Sequence, residues 1–137
     1  WEYACRAGTN TPYHFGKAIT PHDARYEESP GNETAVVRSY RANDWGLFDM
    51  HGNVWEWCLD SKRRYNNDAA KDPEGDTSKG ANRVIRGGSW DSHARDVRAA
   101  FRYVHDPGYR NVNLGFRCVC VQSPNGESAS WAVEGRD

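Results

Sequence analysis

The segment from Arg83 to Cys118, RVIRGGSWDSHARDVRAAFRYVHDPGYRNVNLGFRC, constrains the fold more than any other part of the chain. Gly accepts positive φ and Pro presets a bend, so Gly87-Gly88 and Pro107-Gly108 predict turns that fold the segment back on itself. Between its arginines and glycines stand rings with polar tips and short hydrogen-bonding side chains, a mixture typical of binding loops. They are Trp90, Asp91, Ser92, His93, Asp96, Phe101, Tyr103, His105, Tyr109, Asn111 and Asn113. We interpret the segment as a rigid scaffold with a recognition surface; a core strand with one solvated face is the open alternative.

Composition points to one loop-rich domain. The 137 residues suffice for a single core. Leu and Ile are scarce, whereas there are six Trp and seven Tyr, so we expect a core of rings held by hydrogen bonds. The formal net charge is -1, with acids and bases interspersed, which argues against a nucleic-acid partner. No stretch reaches the roughly 18 apolar residues of a membrane span.

Local patterns predict few regular elements. The pattern from Trp1 to Gly8 predicts a helix that ends near Gly8. The pattern of residues 13–40 predicts a long ordered loop. A turn at residues 51–53 leads into a strand with Val54, Glu56 and Cys58 opposite Trp55 and Trp57. Two further strands are predicted at Arg83–Arg86 and Leu114–Val121, an exposed loop at Lys62–Asn82, and disorder from residue 122 onward.

Four separated motifs carry a family resemblance: WEYACRAGT, GLFDMHGNVWEWC, RVIRGGSW and NLGFRC. In this order and spacing they resemble the formylglycine-generating enzyme, or sulfatase-modifying factor, family. The resemblance implies an α+β fold of the C-type lectin-like kind over residues 1–121, without the N-terminal stretch that members usually carry. Localisation outside the cytoplasm or at the cell surface is the expectation.

The resemblance also argues against the family's oxidation of a substrate cysteine. Aligned on Arg86-Gly87-Gly88-Ser89-Trp90, the copper-binding cysteine pair of the catalytic members falls at Ser92 and Val97. Neither side chain supplies the soft sulfur that copper(I) prefers. Formylglycine-generating activity is therefore not expected.

Metal and disulfide predictions follow from the same resemblance. Asp49, the carbonyls of Gly52 and Val54, and Glu56 match a structural calcium site, and such oxygens are hard ligands for a hard cation. In the alternative, Asp49 and Glu56 pair with Arg or cap the turn. A second family calcium site would be lost, because Arg25 stands where an asparagine is expected and its guanidinium could fill the space. Cys5 and Cys118 match a disulfide found in some members, while Cys58 and Cys120 are expected to be buried apolar residues.

Among non-catalytic relatives, the chain resembles the variable proteins of diversity-generating retroelements, which display residues altered at template adenines. Such changes never yield Lys, Glu, Gln, Met or Trp, and none of these occurs from Asp91 to Arg117. The suspected variable positions are Asp91, Ser92, His93, Asp96, Phe101, Tyr103, His105, Tyr109, Asn111, Val112 and Asn113, with Trp90 as an anchoring ring.

Two other functions stay open. One is a plain binding or accessory domain. The other is the substrate-binding domain of an oxidoreductase such as an iron-dependent sulfoxide synthase, with His93, His105 and Asp96 as an iron site. The expected partner is a protein, peptide or glycan.

Overall fold

A small mixed sheet organises the chain. The structure, a computed structural model, describes residues 1–63 and 75–119. A short helix, α1 (Glu2–Arg6), precedes four strands: β1 (Trp55–Trp57), β2 (Arg83–Arg86), β3 (Tyr103–His105) and β4 (Leu114–Gly115). The strand order is β3-β2-β1-β4. β2 runs antiparallel to both neighbours, with Glu56 opposite Arg86 and Val84 opposite Val104, whereas β4 runs parallel to β1.

The predicted elements are partly confirmed. α1 ends where expected, although Ala7 rather than Gly8 is its left-handed C-cap, with φ 45°. β2 has the predicted bounds, and Glu56 is buried between two half-buried tryptophans of β1. Residues 13–40 form a loop with isolated bridges at Tyr13 and Arg25.

Two strand predictions need correction. The last strand covers only Leu114–Gly115, which pair with Trp55 and Glu56, and the next residue, Phe116, is 76% exposed. β3 was not predicted, since its pairing with β2 joins residues far apart in sequence. The predicted disorder from residue 122 lies outside the described residues, as do residues 64–74 of the predicted loop.

Arg86 supplies several of the contacts that hold the segment from Arg83 to Cys118 in place. Its side chain is 3% exposed and donates hydrogen bonds to the carbonyls of Ala99, Ala100 and Phe101. The same guanidinium contacts Glu2 of α1, with Nη2 to Oε2 at 2.7 Å. Buried cations are stable only when paired and hydrogen-bonded, as this one is. Arg86 therefore ties the helix, β2 and the segment before β3 together.

The core lies in two clusters on either side of the 87–88 turn. One joins Cys5, Met50 and Ala99, with Trp1 and Leu47 against them. The other joins Tyr13, Tyr26 and Val97, with Phe15 and Ile19 nearby. The Tyr13 hydroxyl donates to the carbonyl of Ala94 at 2.7 Å. The expectation of hydrogen-bonded rings in the core holds for the second cluster, while the first is built around Met and small residues.

Gly88 closes the turn after β2 in a conformation and packing that favour glycine. Its φ is 72°, and a Cβ there would lie 2.4 Å from Val97 Cγ1. The positive φ and the close approach both favour glycine.

Within the described part of the chain, no helix has the length and apolarity to cross a membrane.

Candidate functional site

An aromatic pocket opens on the sheet where β3, β1 and β4 meet the segment after β3. Its volume is about 220 Å³. Five rings line it: Trp55, Phe101, Tyr103, His105 and Tyr109. Trp55 lies 5.9 Å from Phe101 and 6.4 Å from Tyr103, measured between ring centroids, and His105 stacks on Tyr109 at 3.8 Å. We refer to this site as the aromatic pocket.

Polar groups stand around the rings. Asp96, Asn111 and Asn113 complete the lining, with Ile85 and Leu114 at the base. Asn113 Nδ2 donates to both carboxylate oxygens of Asp91, at 3.1 and 3.0 Å. Asn111 Nδ2 donates to the Tyr109 hydroxyl at 2.7 Å. A few polar groups in a mostly aromatic wall are the usual makeup of a ligand site.

Most residues predicted for recognition meet here. Seven of them line the aromatic pocket, namely Asp96, Phe101, Tyr103, His105, Tyr109, Asn111 and Asn113. Asp91 is attached to it through Asn113. Trp90 is half-buried and Val112 is 80% exposed, and neither lines the pocket.

Ser92 and His93 lie apart from the pocket. Ser92 is only 9% exposed, and its hydroxyl lies 2.8 Å from that of Ser89, so it holds the loop together instead of facing a ligand. His93 contacts Glu27. The suggested iron site is not assembled, since no group of three or more His, Cys, Asp or Glu side chains suited to a metal occurs in residues 1–63 and 75–119.

Sequence reasoning missed Trp55, Ile85 and Leu114, which line the pocket from strands β1, β2 and β4. Trp55 is opposite Leu114 in the parallel pair. A signal for Trp55 was present, because the predicted alternation sets Trp55 and Trp57 on the face opposite Glu56. Nothing local indicates which of the two tryptophans meets β3.

The positions of the family's cysteine pair are closed to solvent. Val97 is fully buried, and its carbonyl lies 2.7 Å from Nδ1 of His51. His51 is itself buried; burial lowers its pKa to about 4, although the hydrogen bond to Val97 opposes that shift. His14 stacks on His51 at 5.1 Å, and its pKa is also lowered by burial. Burial thus disfavours the protonated form of both imidazoles.

The predicted calcium ligands share a second pocket of about 460 Å³, lined by Asp49, Gly52, Val54 and Glu56 among others. The carboxylate of Glu56 does not fit a calcium ion as it is placed, because three donors hold it. Arg117 Nη2 lies 2.6 Å from Oε1, and both Arg117 Nε and Trp1 Nε1 donate to Oε2, at 3.0 and 2.7 Å. Asp49 accepts from the backbone N–H of Arg38 at 2.7 Å. These contacts agree with the alternative given above, pairing with Arg and capping of the turn, while calcium binding by Asp49, Gly52, Val54 and Glu56 stays a prediction.

Arg25 occupies its loop as the resemblance suggested. Its side chain donates to the carbonyls of Glu33, at 2.8 Å from Nε, and of Pro30. The residue is 7% exposed. A guanidinium that binds backbone carbonyls supplies the positive charge that a cation would otherwise bring.

The predicted disulfide is not present, because Cys5 and Cys118 are both free thiols. Cys5 is fully buried, and its Sγ lies 3.6 Å from the carbonyl of Met50 and from His51 Nε2. Burial raises the pKa of Cys5 to about 12. Cys118 is exposed, whereas Cys58 is free and half-buried; Cys120 lies outside the described residues.

Comparison with known proteins agrees with the motifs. The model of the sulfatase-modifying factor enzyme 1-like domain matches residues 1–121. The formylglycine-generating enzyme of Streptomyces coelicolor is 39% identical over 138 residues, which cover 87% of this chain and 44% of that enzyme. Serine/threonine-protein kinase pkn1 of Chlamydia caviae is 41% identical over 124 residues, covering 87% of this chain and 19% of the kinase.

The structure of Treponema denticola variable protein 1 superposes with a TM-score of 0.74 at 33% identity, covering 85% of this chain and 43% of that one. The fold is thus the C-type lectin-like fold that the motifs predicted. The chain spans less than half the length of each of these three proteins. By its motifs, its fold and the match over residues 1–121, the chain belongs to the sulfatase-modifying factor enzyme 1-like family.

Proposed function

We propose that this domain binds a ligand in the aromatic pocket and does not carry out formylglycine-generating catalysis. The observation that carries the proposal is that seven residues predicted for recognition line one pocket. Rings give large contact area at small cost in conformational entropy, and short amides and carboxylates supply direction. The second support is chemical: Ser92 and the buried Val97 offer no thiolate at the family's cysteine positions.

We further infer that the pocket lining varies between copies of the gene, as the likeness to a protein named variable protein 1 suggests. Sequencing this locus in several related isolates tests the inference. Changes should cluster at the pocket positions between Asp91 and Asn113, beside a reverse transcriptase gene and an adenine-rich repeat of the segment. A constant pocket segment without those neighbours would leave binding proposed and variation rejected.

Removal of two rings tests binding itself. In the double variant Phe101→Ala/Tyr103→Ala we expect capture of a ligand from a displayed peptide library or a glycan array to be abolished. Tyr103 is 52% exposed and Phe101 is half-buried, so the melting temperature should change little. Val112→Ala is the matched control, because Val112 is exposed and outside the pocket. A large loss of melting temperature would show that these rings are core, and the binding surface would then lie elsewhere.

A further inference from the structure

Charge is distributed unevenly around the aromatic pocket. Seven arginines occur between Arg83 and Arg117, yet no Arg or Lys is among the described residues that line the pocket. Arg83 donates to the carbonyl of Ser78, and Arg86 donates to the main-chain carbonyls of Ala99 and of Phe101, whose ring lines the pocket. Arg117 is paired with Glu56. The described lining of the pocket thus carries no Arg or Lys side chain.

Negative charge, by contrast, reaches the pocket. Asp96 lines it, and its side chain is 21% exposed. Its Oδ1 lies 3.6 Å from Nε of Arg95, whose side chain is 75% exposed, so that water screens the pair. Asp91 stands behind Asn113, whose amide gives it hydrogen bonds but no neutralising charge.

Ring faces add to this negative potential. The face of an aromatic ring attracts a cation within about 6 Å of its centroid, and Trp and Tyr do so better than Phe. Trp55, Tyr103 and Tyr109 all line the cavity with Asp96. Its volume of about 220 Å³ is below the roughly 300 Å³ at which pockets for drug-sized molecules begin, so one side-chain-sized group fits.

We propose that the aromatic pocket binds an organic cation, a guanidinium or alkylammonium group, against its rings with Asp96 as the counter-charge. The proposal rests on the proposed function and names the ligand class of the same site. Its source is either a side chain of a peptide or a free small molecule, and the chemistry is shared. A neutral sugar would donate hydroxyl hydrogen bonds to Asp96 and the amides but would not neutralise the Asp96 charge.

Titrations followed by NMR at pH 8 test the proposal. The probes are N-acetyl-arginine methylamide, its neutral isostere N-acetyl-citrulline methylamide, tetramethylammonium and methyl glucoside. We expect the arginine probe to shift the Trp55 indole resonance and to bind about tenfold more tightly than the citrulline probe. Tetramethylammonium binding as tightly would indicate a free small molecule as the source, and weaker binding would indicate a peptide.

Asp96→Asn should weaken the arginine probe about fivefold and leave the citrulline probe unchanged. Asp44→Asn is the matched control, since Asp44 is exposed and does not line the pocket. Equal binding of arginine and citrulline, indifference to Asp96→Asn, preference for the glucoside, or no shift with any probe would each overturn the cation proposal. The proposed function is judged separately, by whether ligand capture from the libraries is lost in Phe101→Ala/Tyr103→Ala.

Discussion

For Glu56 the sequence allowed two roles, binding a calcium ion or pairing with an arginine. It is 5% exposed, and a carboxylate so placed needs either a metal ion or hydrogen-bond donors. Arg117 and Trp1 provide the donors. The spacing of Asp49, Gly52, Val54 and Glu56 brings them to one pocket in either case, so sequence alone could not distinguish the two. The distinction rests on Arg117, which is 61 residues from Glu56 along the chain.

Arg117→Gln should lower the free energy of unfolding by about 2 kcal/mol, because it leaves a buried carboxylate with fewer donors. Urea unfolding measures this. Arg110→Gln is the control, since Arg110 is exposed and contacts only backbone carbonyls; its effect should stay within about 0.5 kcal/mol. Equal effects of the two substitutions would mean that the Glu56 pair contributes nothing.

The same variant tests calcium. Calcium should raise the melting temperature of Arg117→Gln and leave the wild type almost unchanged, because in the wild type the guanidinium holds both oxygens of Glu56. Adding Asp49→Asn should remove the calcium response of Arg117→Gln. An equal response in the wild type would show that calcium and Arg117 bind Glu56 together.

His51 makes folding stability sensitive to acid. Its folded pKa is about 4 and its unfolded pKa is near 6.5, so the unfolded state binds more protons between these values. The contribution is complete above pH 6.5 and is lost as the pH falls toward 4. We expect a loss on the order of 2 kcal/mol between pH 7 and pH 5. The lowered pKa of His14 adds to the loss as the pH falls below 6.5, whereas the lowered pKa of Glu2 acts below about pH 4.5.

Urea unfolding at pH 7 and pH 5 measures the slope. His51→Gln should reduce the slope and leave the part that belongs to His14, and the exposed His22→Gln should leave it as in the wild type. If His51→Gln kept the full slope, the acid sensitivity would belong to another group.

At the scale of elements, prediction succeeded where a pattern is local. β2 is a short apolar strand bounded by arginine and glycine, and its bounds were found from the sequence. β3 is equally short, but three residues that pair with a strand near 20 positions earlier leave no local signal. The recognition segment was identified by composition. Its pocket was not, because Trp55 comes from a strand on the other side of β2.

Gly→Ala variants at two positions distinguish the free energy lost through backbone conformation from that lost through packing. Gly46 and Gly88 have φ values of 75° and 72°, but only Gly88 has a side chain close to the position of its missing Cβ. Gly46→Ala should lower the free energy of unfolding by about 1 kcal/mol, for the backbone alone. Gly88→Ala should cost about 3 kcal/mol, because Val97 must also move. Equal costs in urea unfolding would mean that the core yields freely at Val97.

At the scale of the whole molecule, the ends of the described chain are joined without a covalent bond. Helix α1 is attached to β2 through Glu2 and Arg86, and the segment after β4 is attached to β1 through Arg117 and Glu56. The family resemblance predicts a disulfide because Cys5 and Cys118 match paired positions in some members. Whether the bond forms depends on the distance and geometry between the two cysteines.

Thiol labelling tests this view. In the native protein Cys118 should react with a maleimide at the rate of a free peptide thiol, and Cys5 should react only after unfolding in urea, since it is buried and its pKa is raised to about 12. Peptide mapping by mass spectrometry identifies the labelled residue. Failure of both to label in urea without a reductant would restore the predicted disulfide.

The contacts of Arg86 affect which substitutions the segment that lines the aromatic pocket can accept. Its guanidinium donates hydrogen bonds to the main-chain carbonyls of Ala99, Ala100 and Phe101. Every amino acid has such a carbonyl. At Phe101, whose ring lines the pocket, this contact does not depend on the side chain, whereas Ala99 is also held by its packing in the core. Substitutions on the pocket side can accumulate without cost to this anchor, so the architecture grants mutational robustness at the place where novelty would be useful.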